Sequence, residues 1–130
     1  MPGWLFDSVA LIDWYCGRSG IAPYVEKVLL GKIQGVFSTV TEIELWQGLR
    51  SGEEEDHLAL LALLERIPLD SAIAQQAGRL RQQVGLTRLS LPDAAIAATA
   101  QLTGHTLITR NTRDFIPLRH LFAVELYAKN

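Results

Sequence analysis

The sequence predicts an α/β fold, a three-layer α/β/α arrangement around a central, mostly parallel sheet. Short apolar runs at Trp4–Phe6, Gly35–Ser38, Thr106–Thr109 and Phe122–Leu126 alternate with longer segments that carry helix start and stop signals. A length of 130 residues favours one domain with one core. No repeat, linker or low-complexity segment divides the chain.

Trp4-Leu5-Phe6 reads as a short buried strand that ends on the carboxylate of Asp7. Val9-Ala10-Leu11-Ile12 begins a helix, and a second runs from Pro23 to Leu30 and closes near Gly31. After the strand Gly35–Ser38, the residues Ser38, Thr39 and Thr41 are candidate N-caps. They precede a helix that contains Ile43, Leu45, Trp46 and Leu49 and stops around Ser51-Gly52. The acidic run Glu53-Glu54-Glu55-Asp56 suits the positive end of a further helix whose apolar part is Leu58 to Leu64. Ile67-Pro68-Leu69 is an edge segment, because proline has no amide hydrogen to give a central ladder. Asp70 or Ser71 opens a helix to Val84, and a loop through Gly85 and Leu89 leads to a helix over Ser90 to Ala100. Alanines at 94, 95, 97, 98 and 100 put small residues on every side of that helix, so it is expected to be buried all round. In parallel sheets of this kind, ligand sites collect beyond the carboxyl ends of the strands, where strand order reverses.

Composition excludes several classes. About half of the residues are apolar and a fifth are charged, as in ordinary globular proteins. No apolar window is long enough to span a membrane, and the first residues do not open a signal peptide, so a cytoplasmic protein is expected. The single cysteine, Cys16, has no partner for a disulfide or a zinc site and is read as a small core residue. The net charge of −2 hides an asymmetry. Residues 1–65 carry ten acids against four bases, whereas residues 66–120 carry seven arginines against Asp70, Asp93 and Asp114. Arginine's planar fork suits phosphate, so a polyanionic partner is one reading of the basic stretch and simple solvation of helix faces the other.

Four acids stand at element boundaries: Asp7, Glu44, Asp93 and Asp114. In a parallel sheet these boundaries lie at one end, and the side chains converge. Thr41-x-x-Glu44, Ser90-x-x-Asp93 and Asn111-x-x-Asp114 also fit capping boxes, which is a structural alternative for each of the three. Asp7 has no helix start immediately before it, and burying it unpaired is costly. Several carboxylates around one point repel each other, and the hard divalent ions Mg²⁺ or Mn²⁺ relieve that repulsion. Glu42 and Glu44 point to nearly opposite helix faces. Glu44 is preferred, because Gly48 on its face leaves room for close approach.

These segments carry a resemblance. Phe6-Asp7-Ser8 with Leu11-Ile12 resembles the opening motif of PIN domains, and Ser38 to Gly48 resembles their second motif, with an acid four residues before a glycine. Leu91-Pro92-Asp93-Ala94-Ala95-Ile96-Ala97-Ala98-Thr99-Ala100 is similar to the third, and Leu107-Ile108-Thr109-Arg110-Asn111-Thr112-Arg113-Asp114-Phe115 to the fourth. Val9 stands where the family often has Asn, a departure in detail. The resemblance covers nearly the whole chain and implies that residues 1–130 form one PIN-like nuclease domain, similar to the toxin half of VapBC-type toxin–antitoxin pairs. It also implies that Asp7, Glu44, Asp93 and Asp114 bind one or two divalent ions, with Ser8, Thr109 and Asn111 as supporting or substrate contacts. Finally, it implies a VapB-like antitoxin and a homodimer.

The expected chemistry is hydrolysis of RNA phosphodiester bonds with water activated by Mg²⁺ or Mn²⁺. Asp7 and Asp93 are expected as primary ligands, Glu44 as a ligand or a base acting through water, and Asp114 as an acid of a second or weaker site. Arg110 and Arg113 flank Asp114 and are candidate phosphate contacts, with surface solvation as the alternative. Phosphoryl transfer to an aspartate also uses an acid after the first strand but needs a lysine nearby, and Lys27, Lys32 and Lys129 are next to no motif. Further alternatives are an RNA-processing nuclease without a toxin role and a non-catalytic binding module of the same fold. None of the three histidines is placed as a catalytic group. Trp4, Trp14, Tyr15 and Trp46 are expected mostly in the core, with Trp14 or Trp46 as candidates to line a groove for an antitoxin helix or a dimer mate.

Overall fold

The computed structural model describes residues 2–130. Its strands are β1 (Trp4–Phe6), β2 (Gly35–Ser38), β3 (Glu65–Ile67), β4 (Thr106–Thr109) and β5 (Val124–Leu126). Its helices are α1 (Ser8–Tyr15), α2 (Ala22–Leu29), α3 (Thr39–Gln47), α4 (Glu54–Leu61), α5 (Ser71–Val84), α6 (Leu91–Thr103) and α7 (Thr112–Phe115).

Side chains alternate across a strand, so each apolar run supplies both faces of the sheet. Leu5, Val36 and Leu107 pack with Ile73, Ala77 and Leu80 of α5 and with Ala94, Ala97, Ala98 and Ala100 of α6. Phe6, Phe37 and Ile108 pack on the other face with Leu11 of α1, Leu45 of α3 and Leu60 of α4. Two cores on one sheet make the three layers. Phe6, Phe37, Leu5 and Leu107 are fully buried, worth roughly 1.5–3 kcal/mol each by apolar burial.

The strand order is β3-β2-β1-β4-β5, and all four pairings are parallel. The chain winds outward from β1 through β2 to β3, then returns to β1's other side for β4 and β5. The reversal lies beside β1, so Asp7 at its carboxyl tip stands at the switch point. α6 feeds the amino end of β4, which puts the first turn of α6 at the same edge as Asp7.

Several boundaries differ from the sequence reading. α3 ends at Gln47 with Gly48 as its C-cap, short of the Ser51-Gly52 expected. α4 ends at Leu61, because Leu63 and Leu64 turn the chain into β3 and Leu64 packs against Gly35. Phe122 and Ala123 precede β5, with Phe122 buried in the core on the α5–α6 side. Ala94 through Ala100 are all buried, as expected of α6. Cys16 is a correction: it follows the last turn of α1 as C-cap and is exposed. Among the described residues, no helix is long and apolar enough to cross a membrane.

Candidate active site

Asp7 ends β1 and caps α1. Its Oδ1 accepts from the Ala10 amide at 2.8 Å, so Asp7 too is a helix cap, a role that the sequence spacing offers only for the other three acids. Its Oδ2 accepts from the Thr109 hydroxyl at 2.5 Å, and Thr109 Oγ1 in turn accepts from the Asn111 amide at 3.0 Å. The tips of β1 and β4 are thereby fastened across the switch point. Asp7 is only 6% exposed, and burial pushes its carboxyl up to about 6. The Thr109 and Ala10 hydrogen bonds oppose that shift, while the charges of Glu44 and Asp13 add to it.

Glu44 reaches the same region from α3. The helix is capped by Ser38, whose Oγ accepts from Val40 N–H at 3.1 Å, so Thr41 is inside the helix and no Thr41–Glu44 capping box forms. The Glu44 carboxylate accepts from the Ser8 hydroxyl instead. Glu42, two residues earlier, points to β3 and meets Arg66 at 2.7 Å.

Asp93 occupies the first turn of α6, where its amide donates to Ser90 Oγ at 3.2 Å, half of a capping box. Its carboxyl is pushed up to about 6, first by burial, then by the hydrogen bond and charge of Asp114. Ser90 lowers it and the charge of Glu44 raises it further. Asp114 is fixed in α7 by Asn111, whose Oδ1 accepts from the Asp114 amide at 3.2 Å and whose Nδ2 donates to its carboxylate at 2.9 Å.

The four acids therefore form one electrostatic neighbourhood: Asp7 is under the charge of Glu44, and Asp93 under those of Glu44 and Asp114. They do not close on a point. Among the described residues, no three His, Cys, Asp or Glu side chains are drawn close enough to hold a metal ion as they stand. Protein cations do not relieve the repulsion either, since the two ion pairs among the described residues engage Glu42 and Asp13. The donors on offer are all hard carboxylate and hydroxyl oxygens around a buried acid that titrates high. That chemistry fits a hard divalent cation and does not fit a soft one.

The sequence reading missed a neighbouring network. Asp13 of α1 is buried and receives Arg110 Nε at 2.7 Å and the Tyr127 hydroxyl at 2.6 Å. Burial pushes the Asp13 carboxyl up, but those two hydrogen bonds and the Arg110 charge outweigh it and hold it below the usual range. Arg110 thus gives its Nε and one Nη to Asp13, a partner that neither the phosphate-contact nor the solvated-surface reading named. The signal available in the sequence was an acid inside the apolar run Leu11-Ile12-Asp13-Trp14-Tyr15. Arg113 is exposed and borders a hollow of about 250 Å³ together with Asp114. Glu44 borders another, of about 280 Å³, whose walls include Tyr15 stacked on buried His57.

A model of the family described as "PIN domain" matches residues 5–120. No curated protein matches the sequence. Among solved structures, a toxin-antitoxin complex from Klebsiella pneumoniae is 36% identical over 85% of this chain and 88% of its own, with a TM-score of 0.70. VapBC2 from Rickettsia felis, bound to a DNA fragment from its promoter, is 19% identical over 96% of this chain and 98% of its own, with a TM-score of 0.79. DNA-bound VapBC from Salmonella typhimurium is 22% identical over 97% of this chain and 98% of its own, with a TM-score of 0.77. At those identities the last two speak to the fold alone. The family match spans most of the chain, from Leu5 in β1 through β2, β3 and β4 with all four acids of the edge, and the chain belongs to the PIN-domain family.

Proposed function

We propose that this protein is a divalent-metal-dependent endoribonuclease and the toxin of a VapBC-type toxin–antitoxin pair. The observation that carries the nuclease reading is the set of four acids from four separate elements at the sheet's switch point, none of them neutralised by a protein cation. The 36% identity to a component of the Klebsiella pneumoniae toxin-antitoxin complex supports the toxin role. The cell compartment that suits such a protein is the cytoplasm.

In this reading Asp7 and Asp93 are the main ligands of Mg²⁺, or of Mn²⁺ in its place. Glu44 is a further ligand or a base acting through water, and Asp114 belongs to a second or weaker site. The ion supplies Lewis acidity, lowering the pKa of water and stabilising charge on the phosphate. The protein's own side chains hold the acids in position. Thr109 fixes the Asp7 rotamer, Ser8 holds Glu44, and Asn111 locks Asp114. Near pH 6 and below, Asp7 and Asp93 carry protons that compete with the cation.

A VapB-like antitoxin is the expected partner, with a homodimer as the assembly. An apolar hollow of about 460 Å³ along α1 and α2, walled by Trp14, Ile21, Val25, Leu29 and Leu30, is a surface that suits an antitoxin helix. Leu29 and Leu30 are more than half exposed on it.

The test is single-turnover cleavage of an RNA oligonucleotide with Mg²⁺, Mn²⁺ or EDTA. Cleavage is expected with either metal, is abolished by EDTA, and falls by orders of magnitude in Asp7→Asn and Asp93→Asn. Undiminished cleavage in EDTA, or in both variants, removes the reading.

A further inference from the structure

The seven arginines between residues 66 and 120 are not equivalent. Arg66 closes on Glu42 and Arg110 on Asp13, both at 2.7 Å. Arg79 donates to Gln76 at 3.3 Å. Arg81 donates to the carbonyls of Leu89 at 2.9 Å and Leu86 at 2.8 Å. Among the described residues, only Arg88, Arg113 and Arg119 of this group have no carboxylate within ion-pair distance and no side-chain hydrogen bond. Two of these three, Arg88 and Arg113, line one hollow of about 250 Å³ together with Thr87, with Asp114 on its wall.

Arg88 comes from the loop between α5 and α6, and that loop is fastened. Arg81 bridges two of its carbonyls, and the amides of Arg88 and Leu89 fold back on the Gly85 carbonyl at 3.1 and 3.2 Å. Leu89 is 1% exposed and anchors it in the core. Gly85 has φ +117°, and the Arg88 stem lies over it, with Cγ and Cδ 3.8 Å from where a Cβ would stand. A fixed loop therefore carries an unspent cation to the edge of the carboxylate cluster without pairing it there.

We propose that Arg88 and Arg113 form a subsite for a backbone phosphate of single-stranded RNA, flanking the phosphate cut at the carboxylates. The subsite rests on the ribonuclease reading above. A polyanion approaching four carboxylates meets net repulsion that one divalent ion does not cancel, and cations beside the cluster offset the remainder. Each guanidinium fork matches the spacing of two phosphate oxygens, and Thr87 adds a hydroxyl donor. Both arginines are exposed, so little hydration is lost before the phosphate arrives. Such contacts position the strand and read no base.

The experiment is fluorescence anisotropy of a labelled single-stranded RNA oligonucleotide, on the Asp93→Asn background with Mg²⁺, across a salt series. Arg88→Ala and Arg113→Ala are each expected to raise Kd about 3- to 10-fold and to flatten the slope of log affinity against log salt by about 0.7. Arg79→Ala changes neither quantity, and Arg88→Lys keeps part of the affinity. Unchanged Kd and slope in both alanine variants overturn the subsite, and they do so even when wild type cuts RNA, which leaves the ribonuclease reading intact. RNA that binds with this arginine dependence but is never cut by wild type removes the ribonuclease reading and leaves Arg88 and Arg113 as phosphate contacts of an RNA-binding surface.

Discussion

Replacing Asp7 by Asn is expected to abolish activity and yet stabilise the metal-free protein. The carboxyl ionises near 6 in the folded chain against 3.8 as a free side chain, a difference of about two units. At about 1.4 kcal/mol per unit, the buried charge costs about 3 kcal/mol at pH 8, where both folded and unfolded chains are ionised. Asn Oδ1 can still accept from Ala10, but its amide cannot accept from the Thr109 hydroxyl, so about 1 kcal/mol of the gain is lost. The expected net gain is about 2 kcal/mol, or roughly 5–8 °C in Tm for a chain of this size. The raised pKa also fixes the sign of the pH dependence. Between about 4 and 6 the folded wild type binds a proton that the unfolded chain releases, so in EDTA the wild type gains stability as pH falls from 7 towards 5. Asp93 adds in the same direction. Urea or thermal melts of both proteins in EDTA at pH 5 and pH 8 read the effect, and the gap between variant and wild type should narrow at pH 5. An Asp7→Asn protein less stable than wild type at pH 8 would show that the buried Asp7 charge does not destabilise the fold.

Arg110→Ala leaves Asp13 buried without its cation and should cost about 2–4 kcal/mol, whereas Tyr127→Phe removes one hydrogen bond and should cost about 1 kcal/mol, both read by urea melts. Glu42→Gln disrupts only the exposed pair with Arg66, at less than about 1 kcal/mol, and should keep full cleavage, whereas Glu44→Gln should lose at least tenfold in single-turnover rate. With metal held subsaturating, cleavage should rise with pH through about 6, as Asp7 and Asp93 lose the protons that oppose the cation; a flat profile from pH 5 to 8 would contradict that competition.

The layers and the parallel sheet are legible because strand and helix have different periods, and the runs Gly35–Ser38 and Thr106–Thr109 are bounded by turn and cap residues at both ends. Helix ends are less so. Gly48 stops α3 before the Ser51-Gly52 that composition favours, and packing of Leu64 on Gly35 ends α4 early. Cys16 stands one turn after Ile12, which is itself 44% exposed on the outward side of α1, so a small apolar residue is left exposed there, against its usual preference. At the site, the boundary acids can be picked from the sequence, but capping and ligand chemistry use the same residue types at the same spacing. Only coordinates separate Glu44, held by Ser8, from a Thr41 capping box, or show that Asp7 is itself a cap. The Asp13–Arg110–Tyr127 network joins residues 97 and 114 positions apart, and no local pattern encodes that meeting.

In the proposed reading Asp7, Glu44 and Asp93 share one divalent cation. A crystal soaked in Mn²⁺, with data collected at the manganese absorption edge, tests it most directly. An anomalous peak within ligating distance of Asp7 and Asp93 oxygens, with the Glu44 carboxylate drawn towards it, is the predicted result. No peak at these residues at millimolar Mn²⁺, in protein that cleaves RNA with that metal, would rule out a cation shared by these acids.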